Sequence, residues 1–271
     1  MNLGGPLLLV GCGKMGGALL QGWLGRGIEP ADVWIVEPNT EYLQAFIAQG
    51  VRHASDAAAL PAGFAPALVV FAVKPQMLDA ALPHYKVFAD RGAAALSIAA
   101  GWRIAGFAGA LGADTPIVRA MPNTPAAVGR GMTVLCANDK ADATLREVCG
   151  ALLAAVGETA WVEDEGLIDT VTAVSGGGPA YVFLLIECLA KAGVEAGLPE
   201  DLAMLCARTT VAGAGELVHI ASEPAATLRE NVTSPGGTTL EALKILMAED
   251  GLQPLMTRAI AAAAARSREL G

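Results

Sequence analysis

The sequence predicts an α/β protein in which a mostly parallel sheet domain is followed by an all-helical domain. The chain has 271 residues, of which 54% are hydrophobic, so it can bury a large core in one or two domains. In its first part, short apolar runs alternate with segments of helical character. Beyond residue 164 no segment has the pattern of a strand. These observations indicate a sheet covered by helices on both faces, with a boundary near residue 164.

Six apolar runs predict the strands of the first domain. They are Leu7–Val10, Val33–Val36, Leu68–Val73, Ala94–Ile98, Ile117–Ala120 and Thr133–Cys136. Runs that are apolar at consecutive positions are typical of parallel strands buried on both faces. The segments between them include the predicted helices Met15–Arg26, Thr40–Gln49 and Ile104–Leu111.

A series of helices is predicted after residue 164. Pro179–Ala196 begins with a proline, which suits the first helical turn, and Gly197 suits the left-handed stop. The next helix begins at Pro199-Glu200-Asp201, because acids in the first turn interact favourably with the helix dipole, and extends to about Ala221. The remaining helices are Pro224–Asn231, Thr238–Glu249 and Leu252–Leu270. We therefore predict a dinucleotide-binding domain over 1–164 and a helical domain over 165–271.

The helix Pro179–Ala196 predicts an association of chains. Its apolar residues lie on nearly every face and are Val182, Phe183, Leu184, Leu185, Ile186, Leu189 and Val194. A helix that is apolar all round must be buried all round. In a small domain this indicates burial against a second chain, so we expect a homodimer at least and leave open a ring of dimers. A crowded core within one chain is the alternative.

The charge balance limits the partners. The formal net charge is −9, with 18 Lys and Arg against 27 Asp and Glu. Binding to a phosphate backbone needs a basic face, so nucleic acid is not an expected partner.

The apolar runs are short, since Ala67–Val73 ends at Lys74 and Ala180–Ile186 ends at Glu187. A membrane-spanning helix needs about 20 apolar residues, so we expect no membrane partner.

Cysteine and histidine usage points to a reducing compartment without a metal site. The five cysteines are scattered, odd in number and form no C-x-x-C pair, which is typical of free thiols. The three histidines, His53, His84 and His219, are far apart and lack zinc-ligand spacing. The first residues lack the basic and apolar segments of a secretory signal. We therefore expect a cytoplasmic protein.

A glycine fingerprint directly follows the first predicted strand. Gly11-Cys12-Gly13-Lys14-Met15-Gly16 has the pattern G-x-G-x-x-G and opens a predicted helix. In Rossmann-type domains the first glycine permits a tight turn, the second lets a pyrophosphate approach the backbone, and the third allows close helix–strand packing. This context favours a dinucleotide cofactor over the alternative, a glycine turn that binds nothing.

Polar residues follow two further strands at the same predicted edge. Glu37 ends the second strand about 20 residues after the fingerprint, where a carboxylate binds the ribose hydroxyls of NAD. Asn39 and Thr40 are donors that could instead receive the 2′-phosphate of NADP. Lys74, in Ala72-Val73-Lys74-Pro75, could bond ribose or nicotinamide groups. The alternative for Glu37 and for Lys74 is a solvated turn residue.

Three loops are rich in glycine or proline. Met121-Pro122-Asn123-Thr124-Pro125 is stiffened by its two prolines. Ser175–Tyr181 and Ser234-Pro235-Gly236-Gly237-Thr238-Thr239 each lead into a predicted helix. The free N–H groups and the hydroxyls of the latter loop suit a carboxylate. Ordinary capped helix starts are the alternative, but two such loops beside a dinucleotide fingerprint favour ligand binding.

Other enzyme classes lack their motifs in this sequence. No histidine stands in the context of a hydrolase triad, and no G-x-x-x-x-G-K-[ST] motif of a nucleoside triphosphatase is present. Glu163-Asp164-Glu165 is interpreted as a charged, solvated linker in preference to a paired-carboxylate site.

Taken together, these motifs resemble the pyrroline-5-carboxylate reductase family from about residue 7 to residue 270. The most specific segments are Arg119-Ala120-Met121-Pro122-Asn123-Thr124-Pro125 and Ser234–Thr239. The resemblance implies a dinucleotide-binding domain followed by a helical domain that interlocks two chains. It also implies reduction of the cyclic imine 1-pyrroline-5-carboxylate to L-proline with NADPH or NADH, the last step of proline biosynthesis.

The resemblance also implies roles for three groups of residues. The pyrophosphate would lie on Gly11, Cys12, Gly13, Lys14, Met15 and Gly16, and the adenosine ribose on Glu37, Asn39 and Thr40. The cofactor cleft would be lined by Ala72, Val73, Lys74, Pro75, Ile98, Ala99 and Ala100, with Asn123 and Pro179 near the nicotinamide. The substrate carboxylate would be held by Ser234, Gly236, Gly237, Thr238 and Thr239, with Thr239 as the catalytic residue that reaches the ring nitrogen.

The sequence departs from the family pattern at two positions. Gly177 stands where the family usually has the second serine of Ser-Gly-Ser-Gly-Pro, so another donor must replace that hydroxyl if it matters. Glu37 stands where the family often has Ser, Thr or Arg, which suit NADPH. The family therefore suggests NADPH, whereas Glu37 favours NADH.

Two other functions compete with this interpretation. A hydroxyacid dehydrogenase would place a catalytic lysine in a G-x-x-K pattern after a glycine-rich loop, and Lys191 does not stand in one. A dinucleotide-binding sensor without catalysis would need no second anion site, which Ser234–Thr239 provides.

Overall fold

A computed structural model describes residues 4–270. Its contacts divide the chain into two compact units. The first comprises the residues up to Gly176 together with those from Ala263 onward, and the second comprises Gly177–Ala262. This division lies later than the predicted boundary at 164, and the end of the chain returns to the first unit.

The first unit is built on an eight-stranded sheet. Its strands are β1 (Leu7–Val10), β2 (Val33–Val36), β3 (Arg52–Ala54), β4 (Leu68–Phe71), β5 (Ala94–Ser97), β6 (Ile117–Met121), β7 (Gly131–Ala137) and β8 (Gly157–Trp161). The order in the sheet is β3-β2-β1-β4-β5-β6-β7-β8. All neighbouring strands are parallel except β6 and β7. The predicted mostly parallel α/β fold is therefore confirmed.

Helices and helical turns cover the sheet. The α-helices of the first unit are α1 (Lys14–Gly25), α2 (Gln44–Ala48), α3 (Leu78–Ala81), α4 (Lys86–Ala89), α5 (Ile104–Leu111), α6 (Ala143–Leu153) and α7 (Leu167–Val171), and a π-helix follows at Thr172–Gly176. Successive residues of β1 enter opposite faces of the sheet. Leu7 and Leu9 belong to one buried cluster, and Leu8 and Val10 belong to another.

The first compact unit extends past residue 164 because residues 165–176 pack with the sheet domain. We call this segment, which contains α7 and the π-helix, the connector. Ile168 is fully buried in a cluster with Val134 and Cys136 of β7. The side chain of Asp169 is bonded to Ser267, near the end of the chain. These contacts draw the connector and the last residues into the first unit.

The second unit is helical, as predicted. Its helices are α8 (Gly178–Glu195), α9 (Glu200–Ile220), α10 (Ala225–Asn231), α11 (Thr238–Leu246) and α12 (Leu252–Leu270), the last of which ends in the first unit. Small residues lie where α8 and α9 pack, since a Cβ added at Gly193 would stand 3.3 Å from the Ala203 Cβ. Large apolar side chains of α8 face outward, and Phe183 is 58% exposed.

One helical stretch of the described residues has the length and composition of a membrane span. It covers Leu167–Glu195, with a mean hydropathy of 1.5 in its most apolar window, of which 11% is buried. This stretch is longer than the apolar run Ala180–Ile186 considered in the sequence analysis, because it also includes most of the connector. Length and composition alone do not distinguish a span from a helix that packs against protein.

Candidate active site

The predicted cofactor residues other than Pro179 follow strand ends at one edge of the sheet. Strand order reverses between β1 and its neighbours β2 and β4, which is the switch point where ligands bind in open α/β sheets. The loops after β1, β4 and β5 leave this edge side by side, because their strands are parallel neighbours. They contain Gly11–Lys14, Ala72–Pro75 and Ile98–Ala100. All these residues belong to the first unit.

The three fingerprint glycines have different surroundings. Gly11 has φ +87°, and an added Cβ would stand 2.8 Å from Val73 Cγ1. A Cβ on Gly16 would stand 2.5 Å from the Gly11 carbonyl oxygen. By contrast, a Cβ on Gly13 would meet no described atom within 4 Å. The first and third glycines thus serve the turn and the helix packing, while the second faces open space, as the fingerprint pattern predicts for the glycine that a pyrophosphate approaches.

The N-terminus of α1 is available to an anion. Gly13 is the N-cap and, among the described residues, no side chain caps the helix, nor is there an acid in its first turn. The first N–H groups of a helix have no intrahelical acceptor and carry the positive end of the dipole. Burial, with the nearby Glu37 carboxylate, raises the pKa of the Cys12 thiol to about 12. The thiol is therefore neutral at pH 7 and does not repel a phosphate.

The Glu37 carboxylate lies against the glycine loop. Its Oε2 accepts a hydrogen bond from the Cys12 N–H (3.0 Å), and its Oε1 accepts one from the Asn39 N–H (3.0 Å). The Asn39 side-chain oxygen accepts the Glu41 N–H (3.0 Å) and so closes the turn. Thr40 is exposed, and its carbonyl accepts the Leu43 N–H. Two backbone donors thus hold the carboxylate beside the fingerprint.

The loops after β4 and β5 contribute backbone and small side chains. The Ala72 N–H donates to Val10 (2.8 Å), and Ala72 and Val73 pack on the fingerprint glycines. Lys74 is exposed. Ile98 and Ala99 are buried in the core.

Asn123 ties two loops of the first unit together. Its Nδ2 donates to the carbonyl oxygen (3.3 Å) and the hydroxyl (3.2 Å) of Ser175, and its Oδ1 accepts the Met132 N–H (2.9 Å). A Cβ on Gly176 would stand 2.6 Å from Met121 Cε, so a larger residue there would have to displace the end of the Met121 side chain. Asn123 therefore fixes the β6–β7 loop to the connector.

Within the second unit, the loop before α11 forms an open helix start. Gly236 has φ +71° and Gly237 is the N-cap, without a side-chain cap among the described residues. The Gly237 N–H donates to the Ser234 carbonyl (3.0 Å). Thr238 and Thr239 are the first helical residues, and both are exposed. Their N–H groups have no intrahelical acceptor, which suits a carboxylate. Pro179 also lies in this unit, in the first turn of α8.

Sequence reasoning missed a buried charge cluster in the first unit. Glu165 does not belong to a solvated linker, since its Oε1 accepts from Arg119 Nη1 at 2.7 Å and Arg119 is 1% exposed. Glu163 does lie at the surface, where it pairs with Arg146. An arginine within the apolar run of β6 was the available signal, because a buried guanidinium requires a carboxylate partner.

Comparisons with known proteins place the chain in a family. A model described as pyrroline-5-carboxylate reductase dimerisation matches residues 165–270, and one described as NADP oxidoreductase, coenzyme F420-dependent, matches residues 7–101. The pyrroline-5-carboxylate reductase of Pseudomonas aeruginosa is 36% identical over 264 residues, 97% of this chain and 96% of that protein. The chain belongs to the pyrroline-5-carboxylate reductase family. The resemblance inferred from the motifs is thereby confirmed.

Solved structures agree with this family assignment. A pyrroline-5-carboxylate reductase from Coxiella burnetii superposes with a TM-score of 0.91 at 32% identity, covering 98% of each chain. The pyrroline carboxylate reductase of Plasmodium falciparum, solved with NADP bound, gives 0.80 at 29% identity, again over 98% of each chain. Members of the family are NAD(P)-dependent oxidoreductases, and this chain carries the corresponding fold.

The surroundings of Gly13 and Gly16 predict that alanine at the first position weakens cofactor binding, whereas alanine at the second lowers the stability of the fold. Gly13→Ala adds a methyl group that meets no described atom, at a φ of −73° that alanine accepts. We expect an unchanged melting temperature and a cofactor Kd raised at least about tenfold, since the methyl occupies the path of the pyrophosphate. Gly16→Ala forces a contact with the Gly11 carbonyl and should destabilise the fold by about 1–3 kcal/mol.

Thermal unfolding with and without cofactor separates the two variants. A Gly13→Ala protein that binds the cofactor as the parent does would show that the pyrophosphate lies elsewhere.

Proposed function

We propose that this chain reduces 1-pyrroline-5-carboxylate to L-proline with a reduced nicotinamide cofactor, the last step of proline biosynthesis. The observation that carries the proposal is family membership over nearly the whole chain length. The fingerprint edge of the first unit and the open helix start of the second supply an anion site each, as a dinucleotide and a carboxylate substrate require.

The first unit would hold the cofactor. Its pyrophosphate would lie on the N–H groups of Gly13–Gly16, its adenosine ribose at Glu37, and its nicotinamide half along Ala72–Pro75 and Ile98–Ala100. Asn123 would stand near the nicotinamide. When bound, the reduced nicotinamide supplies the hydride.

Glu37 favours NADH over NADPH. Its carboxylate is fixed by two backbone N–H groups, so it cannot leave the ribose position without giving up both bonds. The turn 37–42 holds a second acid, Glu41, and no Lys or Arg that could neutralise a 2′-phosphate. A phosphate there would meet like charge, whereas ribose hydroxyls can donate to the carboxylate.

The loop Ser234–Thr239 would hold the substrate. The N–H groups at the start of α11, with the Ser234 and Thr238 hydroxyls, would bind the carboxylate. The Thr239 hydroxyl would form a hydrogen bond with the ring nitrogen of the substrate. An imine that enters already protonated needs no strong general acid, which fits a threonine at this position. The chain then aligns the two reacting carbons and retains the proton at nitrogen.

A second copy of this chain would cover the apolar face of α8. Val182, Phe183, Leu184 and Leu185 are each more than 40% exposed in the single chain, and the region matches the family's dimerisation model. An apolar patch of this kind on a soluble protein marks an interface. The chain would therefore be a homodimer at least, and its free cysteines support a location in the cytoplasm.

Sedimentation tests the homodimer. We expect at least twice the 27.5 kDa chain mass at micromolar concentration, and a larger even multiple for a ring of dimers. Phe183→Glu should shift the protein toward monomer, because it buries a charge in the interface. Val87→Glu, at a 43% exposed position of the first unit, is the matched control and should stay dimeric. A stable parent monomer, or a parent recovered only with membranes, would contradict the proposal.

The reaction itself is tested by following absorbance at 340 nm. Pyrroline-5-carboxylate with NADH or NADPH should give turnover, while 2-hydroxy and 3-hydroxy acids with the oxidised cofactors should give none. Turnover of a hydroxy acid alone would overturn the assignment.

A further inference from the structure

Two carboxylates of the connector hold the loop that follows β5. Glu165 Oε1 accepts from the Ile104 N–H (2.8 Å) as well as from Arg119 Nη1 (2.7 Å). Asp169 is 2% exposed, and its Oδ2 accepts from Arg103 Nη2 (3.2 Å). Arg103 and Ile104 are the N-cap and the first residue of α5. Both bonds therefore fix the point where the β5–α5 loop enters its helix.

Apolar packing also holds the far end of the loop, because Trp102 packs against Phe107 of α5 with ring centroids 5.5 Å apart and Ile104 packs against buried clusters. The polar groups at this end are held differently. The Arg103 side chain does not cap α5, and the first N–H groups of a helix have no internal acceptor. Glu165 supplies this missing cap from a segment far away in sequence. The near end of the loop is held separately, by the Ile98 N–H to Phe71 (3.1 Å) and the Ala99 N–H to Ser97 Oγ (3.2 Å).

Charge makes Glu165 hard to replace. Arg119 is buried, and its Nε has no hydrogen-bond partner among the described residues. Glu165 is thus the carboxylate that compensates this guanidinium, and losing its charge leaves a buried cation unpaired. Arg119 lies on β6, two positions before Met121, so β6 and the β5–α5 loop both depend on one carboxylate.

We infer that Glu165 is a positioning residue for cofactor binding, which it serves by fixing the β5–α5 loop and β6 at the cofactor edge. The inference rests on the proposed function, because it takes Ile98–Ala100 to line the cofactor cleft. Glu165 itself touches neither substrate nor cofactor, and its effect passes through Ile104 and Arg119.

Glu165→Gln tests this, with the cofactor Kd measured by fluorescence titration with NADH. The amide keeps the shape and removes the charge. We expect Kd and the cofactor KM to rise about tenfold, equivalent to ~1.4 kcal/mol. The kcat at saturation and the KM for pyrroline-5-carboxylate should stay within about twofold of the parent.

Glu163→Gln is the matched control. Glu163 also accepts from an arginine, Arg146, at 3.0 and 3.3 Å, and this arginine lowers the pKa of Glu163. Glu163 lies two residues before Glu165, but its ion pair connects this segment to α6 and not to the cofactor edge. We expect the cofactor Kd of Glu163→Gln to equal that of the parent.

The outcomes separate the hypotheses. A Glu165→Gln variant that melts lower yet binds NADH as the parent does would make Glu165 merely structural and overturn the inference. If this variant fails to fold, Arg103→Gln removes the second anchor of the loop without disturbing Arg119. Its Kd should rise about threefold, as for a partly exposed ion pair, and an unchanged Kd overturns the inference. A parent that binds no nicotinamide cofactor overturns the proposed function as well.

Discussion

Replacing Glu37 with serine should shift the cofactor preference toward NADPH. The carboxylate is held beside the glycine loop by the Cys12 and Asn39 N–H groups, so a 2′-phosphate would bind next to a fixed negative charge. Repulsion of this kind amounts to about 1–3 kcal/mol for charges near a surface. The ratio of kcat/KM for NADPH to that for NADH should therefore rise by about tenfold to a hundredfold in Glu37→Ser.

Glu41→Gln is the control for the general effect of charge. Glu41 is an exposed acid of the same turn; its backbone N–H donates to Asn39 Oδ1, and its carboxylate has no hydrogen-bond partner among the described residues. Removing this charge should change the ratio far less than removing that of Glu37. If Glu37→Ser leaves the ratio unchanged, the carboxylate does not face the ribose, and Asn39 or Thr40 governs the choice of cofactor.

The strands that the sequence predicts well are those buried on both faces. β1 and β2 match their predicted bounds, because four consecutive apolar residues between turn residues are typical of a strand covered on both sides. β3 (Arg52-His53-Ala54) and β8 (Gly157–Trp161) were missed, since both contain polar residues. They are the two outermost strands of the sheet. An edge strand has a neighbouring strand on one side only and is less buried, so its residues need not be apolar at consecutive positions.

Helix starts and stops were predicted closely where proline, glycine or acids mark them. α8 begins one residue before the predicted Pro179, and α9 begins at Glu200. α2 is shorter than the predicted Thr40–Gln49, because the bonds from the Glu41 N–H to Asn39 and from the Leu43 N–H to Thr40 form a turn there. Such local side-chain bonds compete with a helix and leave no mark on hydrophobic periodicity.

The residues of the candidate site also differ in how well the sequence predicts them. The fingerprint and the loop before α11 are local motifs, so their residues can be recognised from the sequence. Glu165 and Arg119 are 46 positions apart, and only the fold brings them together. The first compact unit extends past the predicted boundary at 164 for this reason, since an acidic run before a helix resembles a linker until its partners are known.

Replacing Thr239 with alanine should lower kcat by roughly tenfold or more while leaving KM and the melting temperature nearly unchanged. Thr239 is exposed in the first turn of α11, next to N–H groups without an intrahelical acceptor. Its hydroxyl can accept from the iminium N–H and donate to the nitrogen of proline as it forms. The bond that the hydroxyl donates forms only as the hydride arrives and the nitrogen gains a lone pair, so its loss should appear in kcat more than in KM. A tenfold change corresponds to ~1.4 kcal/mol, the scale of one hydrogen bond.

Thr239→Ser distinguishes this role from a structural one. Serine retains the hydroxyl and removes only the methyl group, so it should keep most of the parent kcat if the hydroxyl handles the nitrogen proton. If Thr239 only stabilises the helix start, the kcat of Thr239→Ala should equal that of the parent and its melting temperature should fall. The hydroxyl of a residue already inside the helix caps little, and Gly237 occupies the N-cap position. An alanine variant that melts several degrees lower but turns over at the parent rate would show that Thr239 stabilises the helix start, and that water alone manages the proton.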